Sequence, residues 1–291
     1  MKKHVYADLT AFIHDACTHA SHLGREVPLL PFYTREHAVG WLRPSFAELL
    51  QRWPHIFEVT AAYAALKTVP DTVFGRTKAL EEVTRVLAAE GVIGGWRDEP
   101  VSVSYHYAAP ELFRIERAAT RHFGMMAYGA HLNGFTRRKG ELHLWIARRS
   151  PDKSIDPDKL DNLVGGRIAS GFTVAETIRK EAWEEAGIPP RLLAGQNCLG
   201  AVHVEYTVPE GLHREILFVH DLWLPEDFRP QNQDGEVARL YCFTIPETIE
   251  AILSGEFSLD AGAVTVDALI RNGVFEPEDP QYLDLVRFLK P

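Results

Sequence analysis

The sequence contains few cysteines and no long apolar segment. Its three cysteines, Cys17, Cys198 and Cys242, are an odd number and lie far apart, which excludes a disulfide framework and the close cysteine spacing of a zinc site. No stretch approaches the roughly 20 apolar residues that a membrane-spanning helix needs, and the first residues lack the apolar core of a signal peptide. We therefore predict a soluble protein of the cytoplasm.

Positive charge is also scarce. Across 291 residues, 40 acidic side chains outnumber 31 basic ones, which gives a formal net charge of −9. A protein that binds the phosphate backbone of nucleic acid should present a basic face, so this balance argues against nucleic acid and leaves a small molecule as the expected partner. The length has room for one large or two ordinary domains, and a homodimer is left open.

The stretch from residue 165 to residue 188 carries the clearest local signals. It starts with Gly165 and Gly166 and continues into a short helical pattern. Thr173, followed three residues later by Glu176, predicts a capping box, in which each side chain accepts a hydrogen bond from the other residue's backbone amide. Gly187 can take the left-handed conformation that ends a helix. We therefore predict a loop followed by a helix with defined ends.

Three glutamates, Glu181, Glu184 and Glu185, share one face of this predicted helix because they are spaced by three and four residues. Like charges at these spacings destabilise a helix by about 0.2–0.5 kcal/mol per pair, and the helix dipole disfavours anions near the C-terminal end. A hard divalent cation would compensate both effects, because it binds carboxylate and phosphate oxygens. The alternative is a solvated face on which Lys180 pairs with Glu184 or Glu176.

Loop and helix together resemble the Nudix box, the signature of the Nudix hydrolases. Two positions depart from that pattern: Phe172 stands where the box has an isolated glutamate, and Lys180 replaces the arginine. In the usual box these two residues form a supporting ion pair, so their joint loss strands no charge, and Lys180 can pair with Glu176 or Glu184 in support of the helix. The positions that match the box are Gly166, Glu181, Glu184, Glu185, Gly187 and Ile188.

The resemblance implies a diphosphate hydrolase that uses Mg²⁺ or Mn²⁺. The implied metal-binding groups are the side chains of Glu181, Glu184 and Glu185 and the backbone carbonyl of Gly166. Nudix enzymes often add one more carboxylate from outside the box, as a metal ligand or a general base. Glu236, on a loop before a predicted strand, is the first candidate for that role and Glu215 the second. Glu184, Glu185 and Glu236 are thus the expected catalytic residues, with Glu185 or Glu236 accepting the proton from water.

Residues 160–181 resemble one Nudix subgroup in particular, the thiamine-pyrophosphokinase-associated Nudix proteins and their stand-alone relatives. These carry an extra domain ahead of the box. The resemblance implies cleavage of thiamine diphosphate, or its oxidised analogues, to a monophosphate. Two alternatives stay open: hydrolysis of ADP-ribose or another nucleoside diphosphate derivative, and a non-catalytic Nudix-fold sensor. Phe172 and Lys180 favour the sensor, and the intact glutamates oppose it.

The predicted fold class is α/β (α+β), with two domains. Residues 1–110 are expected to form a smaller α+β accessory domain that includes an amphipathic helix over residues 7–17. Residues 111–291 are expected to form a Nudix α/β/α sandwich around a mixed sheet. In this second domain, residues 141–149 alternate as a strand that ends in Arg148 and Arg149. These two arginines are expected to bind the diphosphate, or else to form a solvated strand end.

Overall fold

The computed structural model describes residues 2–17, 28–67, 70–279 and 282–290 of the chain. Three clusters of buried apolar side chains organise these residues. One cluster is built from residues between 32 and 125, and the other two lie on opposite faces of a large sheet in the rest of the molecule. The molecule therefore has a first region with one core and a second region whose sheet is covered on both sides.

A mixed four-stranded sheet and a hairpin form the first region. Helix α1 (Lys2–Cys17) precedes this region in the chain but does not belong to it. The sheet has the order β2-β1-β4-β3, with β1 and β4 parallel, and β5 and β6 pair separately. The elements are β1 (Leu30–Thr34), β2 (His37–Leu42), α2 (Pro44–Leu50), β3 (Phe57–Val59), β4 (Ala64–Leu66), α3 (Val73–Ala89), β5 (Pro100–Val103) and β6 (Phe113–Glu116).

Helix α3 shows why the first region folds as it does. The hydroxyl of Thr72 caps the helix by accepting from the amide of Gly75, and Leu80, Val83 and Leu87 recur at helical spacing and are fully buried. This apolar stripe faces the core that the strands of the first region share. The cap and the apolar stripe together account for the start of α3 and for the face that it buries.

The second region is built on a seven-stranded mixed sheet. Its longest strands, β7 and β12, run parallel at the centre, and β8 and β10 both pair antiparallel with β7. The turn between β7 and β8 uses Lys139 and Gly140, both with positive φ, as a two-residue hairpin requires. The strands are β7 (Met126–Arg138), β8 (Glu141–Arg149), β9 (Leu160–Asn162), β10 (Val164–Arg167), β11 (Gly200–Val208), β12 (Gly211–Trp223) and β13 (Val237–Thr244).

Helices cover both faces of this sheet. The helix α4 (Val174–Ala186) packs on one face through Ile178, Ala182 and Ala186, which are spaced by four residues and buried. The opposite face is covered by α1 together with α5 (Ile245–Leu253), α6 (Leu259–Arg271) and α7 (Tyr282–Leu289). Alternating strand residues serve the two cores, since Leu144 and Ile146 face one and Trp145 the other. The predicted α/β/α arrangement with a separate first region is confirmed.

Helix α1 corrects one expectation from the sequence. Its residues 7–17 were expected in the first domain, but Leu9, Ile13 and Ala16 are buried in the core of the second region, against the sheet and α6. An amphipathic stripe shows that a helix has a buried face but does not show which surface covers it. The first region's core, in turn, extends beyond residue 110 to Phe123 and Met125.

No helix in the described ranges is both long enough and apolar enough to cross a membrane.

Candidate active site

A cavity of about 400 Å³ lies between the two regions, beside the end of α4. The second region supplies the glutamates of α4, the glycines of β10 and residues of β12. The first region supplies three arginines, Arg97, Arg117 and Arg121. Both regions therefore line the site. The glutamates of α4 form its carboxylate wall, and the arginines form an arginine wall in which Glu99, Glu215 and Asp260 lie among them.

Glu185 is the most deeply placed of the three helix glutamates. Its side chain is buried, and its Oε2 accepts a hydrogen bond from the backbone N–H of Gly165 at 2.8 Å. Burial, with Asp161 and Glu181 nearby, raises the pKa of Glu185 well above its ordinary value. A buried carboxylate with one amide donor favours a proton or a bound cation.

Glu181 and Glu184 are bridged by a positive charge. The ammonium of Lys180 lies 3.0 Å from Glu181 Oε1 and 2.7 Å from Glu184 Oε2. Burial, together with Glu184 and Glu236 nearby, raises the pKa of Glu181, although Lys180 opposes this. The ammonium shows that the carboxylates can converge on one cation, and their oxygen atoms are the donors that Mg²⁺ and Mn²⁺ prefer. The residues present therefore fit a divalent cation.

Gly166 allows β10 to approach α4 closely. A Cβ atom at this position would lie 2.4 Å from Cγ of Glu181, a distance that no side chain could occupy without moving the glutamate. Glycine therefore lets the backbone of β10 lie directly against Glu181. This contact explains physically why the loop of the motif needs a glycine here.

The start of α4 is held by the predicted capping box. Thr173 Oγ1 accepts from the amide of Glu176, and Glu176 Oε2 accepts from the amide of Thr173. Because its carboxylate is used in this cap, Glu176 does not pair with Lys180, which binds Glu184 instead. At the other end Gly187 has a φ of 61° and ends the helix. Both helix ends are confirmed.

The two arginines at the end of β8 separate in the structure. Arg149 lines the cavity, and its Nη1 donates to Asp161 Oδ2 at 2.6 Å. Arg148 lies outside the cavity lining and pairs with Glu256 at 2.7 Å. Successive strand residues point to opposite faces, so the expectation that both arginines face the substrate is wrong for Arg148.

The two carboxylates expected from outside the box both line the cavity. Glu236 forms an ion pair with Lys153. Burial opposes ionisation of Glu236, but the hydrogen bond and charge of Lys153, together with the charges of Arg97 and Arg117, lower the pKa of Glu236 overall. Glu215 is buried on β12 and pairs with Arg167 at 3.1 Å. Glu236 is thus ionised and lines the cavity, whereas the charge of Glu215 is already paired with Arg167.

A second cluster was not predicted from the sequence. Ligand atoms of His213, Glu215 and Asp260 lie within 4.8 Å of one another on the arginine side of the cavity. Glu215 already binds Arg167, and Asp260 accepts from Tyr206 and His213. The cluster comes from β12 and from the start of α6, 45 residues away from Glu215 along the chain. No local pattern joins residues so far apart.

Comparison with known proteins agrees with this geometry. A domain of unknown function, DUF4743, matches residues 12–127, and the NUDIX domain matches residues 130–258. Nudix hydrolase 24, chloroplastic, from Arabidopsis thaliana is 36% identical over 289 residues, covering 98% of this chain and 79% of that protein. Nudix hydrolase 20, chloroplastic, from the same plant is 34% identical over 296 residues, with the same two coverages.

The chain belongs to the Nudix hydrolase family. The family expected from the box is thereby confirmed, and the DUF4743 match corresponds to the extra domain ahead of the box. An uncharacterised protein of Saccharomyces cerevisiae is 31% identical over 230 residues, 72% of this chain and 66% of that protein.

In this Nudix hydrolase, the two residues that depart from the box, Lys180 and Phe172, make different contacts. Lys180 binds Glu181 and Glu184 on the helix. Phe172 is 47% exposed and lines the cavity. A phenyl ring at that position offers an apolar surface to a bound molecule where the usual box has a charged group.

Proposed function

We propose that this Nudix hydrolase cleaves the diphosphate linkage of thiamine diphosphate, or of its oxidised analogues, to give the monophosphate. The observation that carries the chemistry is the convergence of Glu181, Glu184 and Glu185 beside a cavity that is also lined by several arginines. The thiamine compound is supported by the resemblance of residues 160–181 to the thiamine-associated subgroup, and by the aromatic ring of Phe172 at the cavity surface.

Mg²⁺ or Mn²⁺ is the proposed cofactor, held by Glu181, Glu184, Glu185 and the carbonyl of Gly166. When bound, such a cation neutralises phosphate charge and lowers the pKa of coordinated water.

The side chains around the cavity would accept the proton from water and stabilise the charge on the phosphate. Glu236 is ionised and lies beside the cavity, so it can accept a proton from an attacking water molecule, with Lys153 holding its carboxylate in place. Glu185 is the second proton acceptor to consider, since burial gives its carboxylate a high proton affinity. Arg149, fixed by Asp161, places a positive charge next to the reacting phosphate.

The test is phosphate release from thiamine diphosphate, oxothiamine diphosphate and ADP-ribose, each with Mg²⁺, with Mn²⁺ and with a chelator. We expect monophosphate from the thiamine compounds only when a metal is present. Turnover confined to ADP-ribose would keep the chemistry and overturn the substrate. Metal binding with no turnover of any of the three would support a sensor and overturn the enzyme proposal.

A further inference from the structure

We propose that the first region completes the substrate site, with Arg121 as its central residue and Arg97 and Arg117 beside it. These arginines would bind the terminal phosphate of the substrate and so select organic diphosphates that end in a free phosphate over those whose diphosphate joins two organic groups. This inference rests on the proposed diphosphate hydrolysis.

The backbone around Arg121 is fixed by both regions. Its carbonyl accepts a hydrogen bond at 3.0 Å from the amide of Leu212, at the start of β12 in the second region. Two residues later, the carbonyl of Phe123 accepts at 3.0 Å from the amide of Trp41 in β2 of the first region. A Cβ atom on Gly211 would meet the Arg121 carbonyl oxygen at 2.2 Å. Glycine therefore permits the docking that positions Arg121 at the cavity.

A chain of hydrogen bonds sets the orientation of the Arg121 side chain. Its Nε donates to His213 Nδ1 at 3.2 Å, so the other ring nitrogen, Nε2, carries a proton and donates to Asp260 Oδ2 at 3.1 Å. Tyr206 donates to the second oxygen of Asp260 at 3.0 Å. Within the described ranges only Nε of Arg121 forms a side-chain hydrogen bond, so the two terminal amino groups of this cavity-lining residue are available to a ligand.

Arg121 has no direct ion-pair partner among the residues that the structure describes. The one hydrogen bond of its side chain there is to His213, and its charge acts on Asp260 and Asp156 only from beyond ion-pair distance. The Arg97 side chain is similar: its one hydrogen bond in the described part of the chain is to the Ser154 hydroxyl at 3.4 Å, and its charge acts on Glu236 from a distance. Arginines that line a shared cavity without a direct carboxylate partner are the arrangement that an anionic ligand would stabilise.

Two neighbouring arginines add positive charge beside Arg121, although each of them has a carboxylate partner. Arg117 pairs with Glu99 at 2.9 Å and Arg167 pairs with Glu215 at 3.1 Å. Burial, and then the charges of Arg167 and Arg97, lower the pKa of Arg117. Arg117, Arg121 and Arg167 also line a smaller adjoining cavity of about 220 Å³. The three guanidinium groups therefore form a wall between two cavities rather than a solvated surface.

The chemistry of phosphate explains the expected selectivity. A terminal phosphate carries about 1.5 to 2 negative charges at pH 7 and three acceptor oxygens. A phosphate within a diphosphate that joins two groups has lost one of those oxygens to the second ester and carries less charge. Arginine forks bind phosphate oxygens in pairs. A wall of several arginines thus matches the terminal group better than the internal one.

The experiment compares Arg121→Gln with the unmodified protein and with Arg52→Gln, a matched change in the first region, where Arg52 pairs with Glu90 at the surface. Two readouts are used: calorimetric binding of inorganic pyrophosphate in the presence of a chelator, and KM and kcat for thiamine diphosphate and for ADP-ribose with Mg²⁺. We expect Arg121→Gln to weaken pyrophosphate binding by about 10- to 100-fold and to raise KM for thiamine diphosphate similarly, with Arg52→Gln unchanged in both.

The two readouts separate this inference from the proposed function. Loss of pyrophosphate binding in Arg121→Gln supports the arginine site even where thiamine diphosphate proves not to be a substrate. Unchanged pyrophosphate binding and unchanged KM overturn it even where hydrolysis is confirmed. An equal loss of turnover on thiamine diphosphate and ADP-ribose overturns the selectivity. Should Arg121→Gln lower the melting temperature, Arg97→Gln decides, because the Arg97 side chain is exposed and its one hydrogen bond to the described residues is the weak one to Ser154.

Discussion

The two charged walls of the cavity are built in opposite ways. The carboxylate wall comes from one helix, in which three glutamates lie within five residues and Lys180 relieves their repulsion locally. The arginine wall is assembled from distant parts of the chain, and its members are held by long-range pairs such as Arg167 with Glu215 and Arg121 with His213. A compact acidic motif can thus be shared by many proteins, whereas the wall facing it depends on how the whole chain folds.

The largest effect should come from the carboxylate wall. We expect Glu185→Gln to reduce kcat by about 1,000-fold, because it removes a buried ionisable oxygen from the cation and proton site. The melting temperature should hold or rise, since the variant no longer buries a carboxylate whose pKa is raised by burial. Steady-state kinetics and thermal unfolding check both parts. Full activity in this variant would remove Glu185 from the reaction.

A smaller loss of activity should follow when the close contact between β10 and α4 is disturbed. Gly166→Ala places a methyl group where Cγ of Glu181 lies 2.4 Å away, so the flexible glutamate should move and the backbone should stay. We expect kcat/KM to fall by about 100-fold, with weaker Mn²⁺ binding in a calorimetric titration. Retention of wild-type Mn²⁺ affinity would show that Glu181 is not a ligand.

The smallest effect concerns stability on the arginine side. His122 follows Arg121 in the chain, and its ring lies tilted against that of Phe46 with 5.3 Å between the ring centroids. Burial lowers the pKa of His122. The unfolded chain therefore takes up a proton at a higher pH than the folded protein does, and the free energy of unfolding should fall as pH drops below about 6.5. His122→Phe should reduce this slope by less than about 1.4 kcal/mol per pH unit, measured by denaturant unfolding between pH 7.5 and 5.5. An unchanged slope would assign the pH dependence to other groups.

The contrast between the walls also explains what could be predicted from the sequence. The box helix was predicted with both ends, because Thr173, Glu176 and Gly187 act within a few residues of one another. Arg121 and His213, which meet at 3.2 Å, are 92 residues apart. Sequence periodicity does not predict a contact over that separation. Without knowledge of this contact, nothing distinguishes Arg121 from the other arginines of the chain.

Strand geometry and helix packing account for the remaining differences. Arg148 and Arg149 are adjacent in sequence, yet one pairs with Glu256 and the other lines the cavity, since a strand alternates its side chains. Which of the two faces inward depends on pairing with β9 and β13, and that register was not deducible. The same limit applied to α1, whose apolar stripe was visible but whose covering surface was not.

The placement of α1 has a consequence for synthesis on the ribosome. Leu9 and Ile13 pack in a core that also needs Val264, Leu269 and Leu285, so the helix emerges long before its partners exist. At 5–20 residues per second, the interval is roughly 10–50 seconds. During that time the first region can form its own core, whose last buried residue is Met125. The apolar face of α1 remains exposed to solvent over the same interval. A chaperone that binds short apolar helices could therefore bind α1 in the nascent chain, whereas in the folded enzyme the same face of α1 is buried.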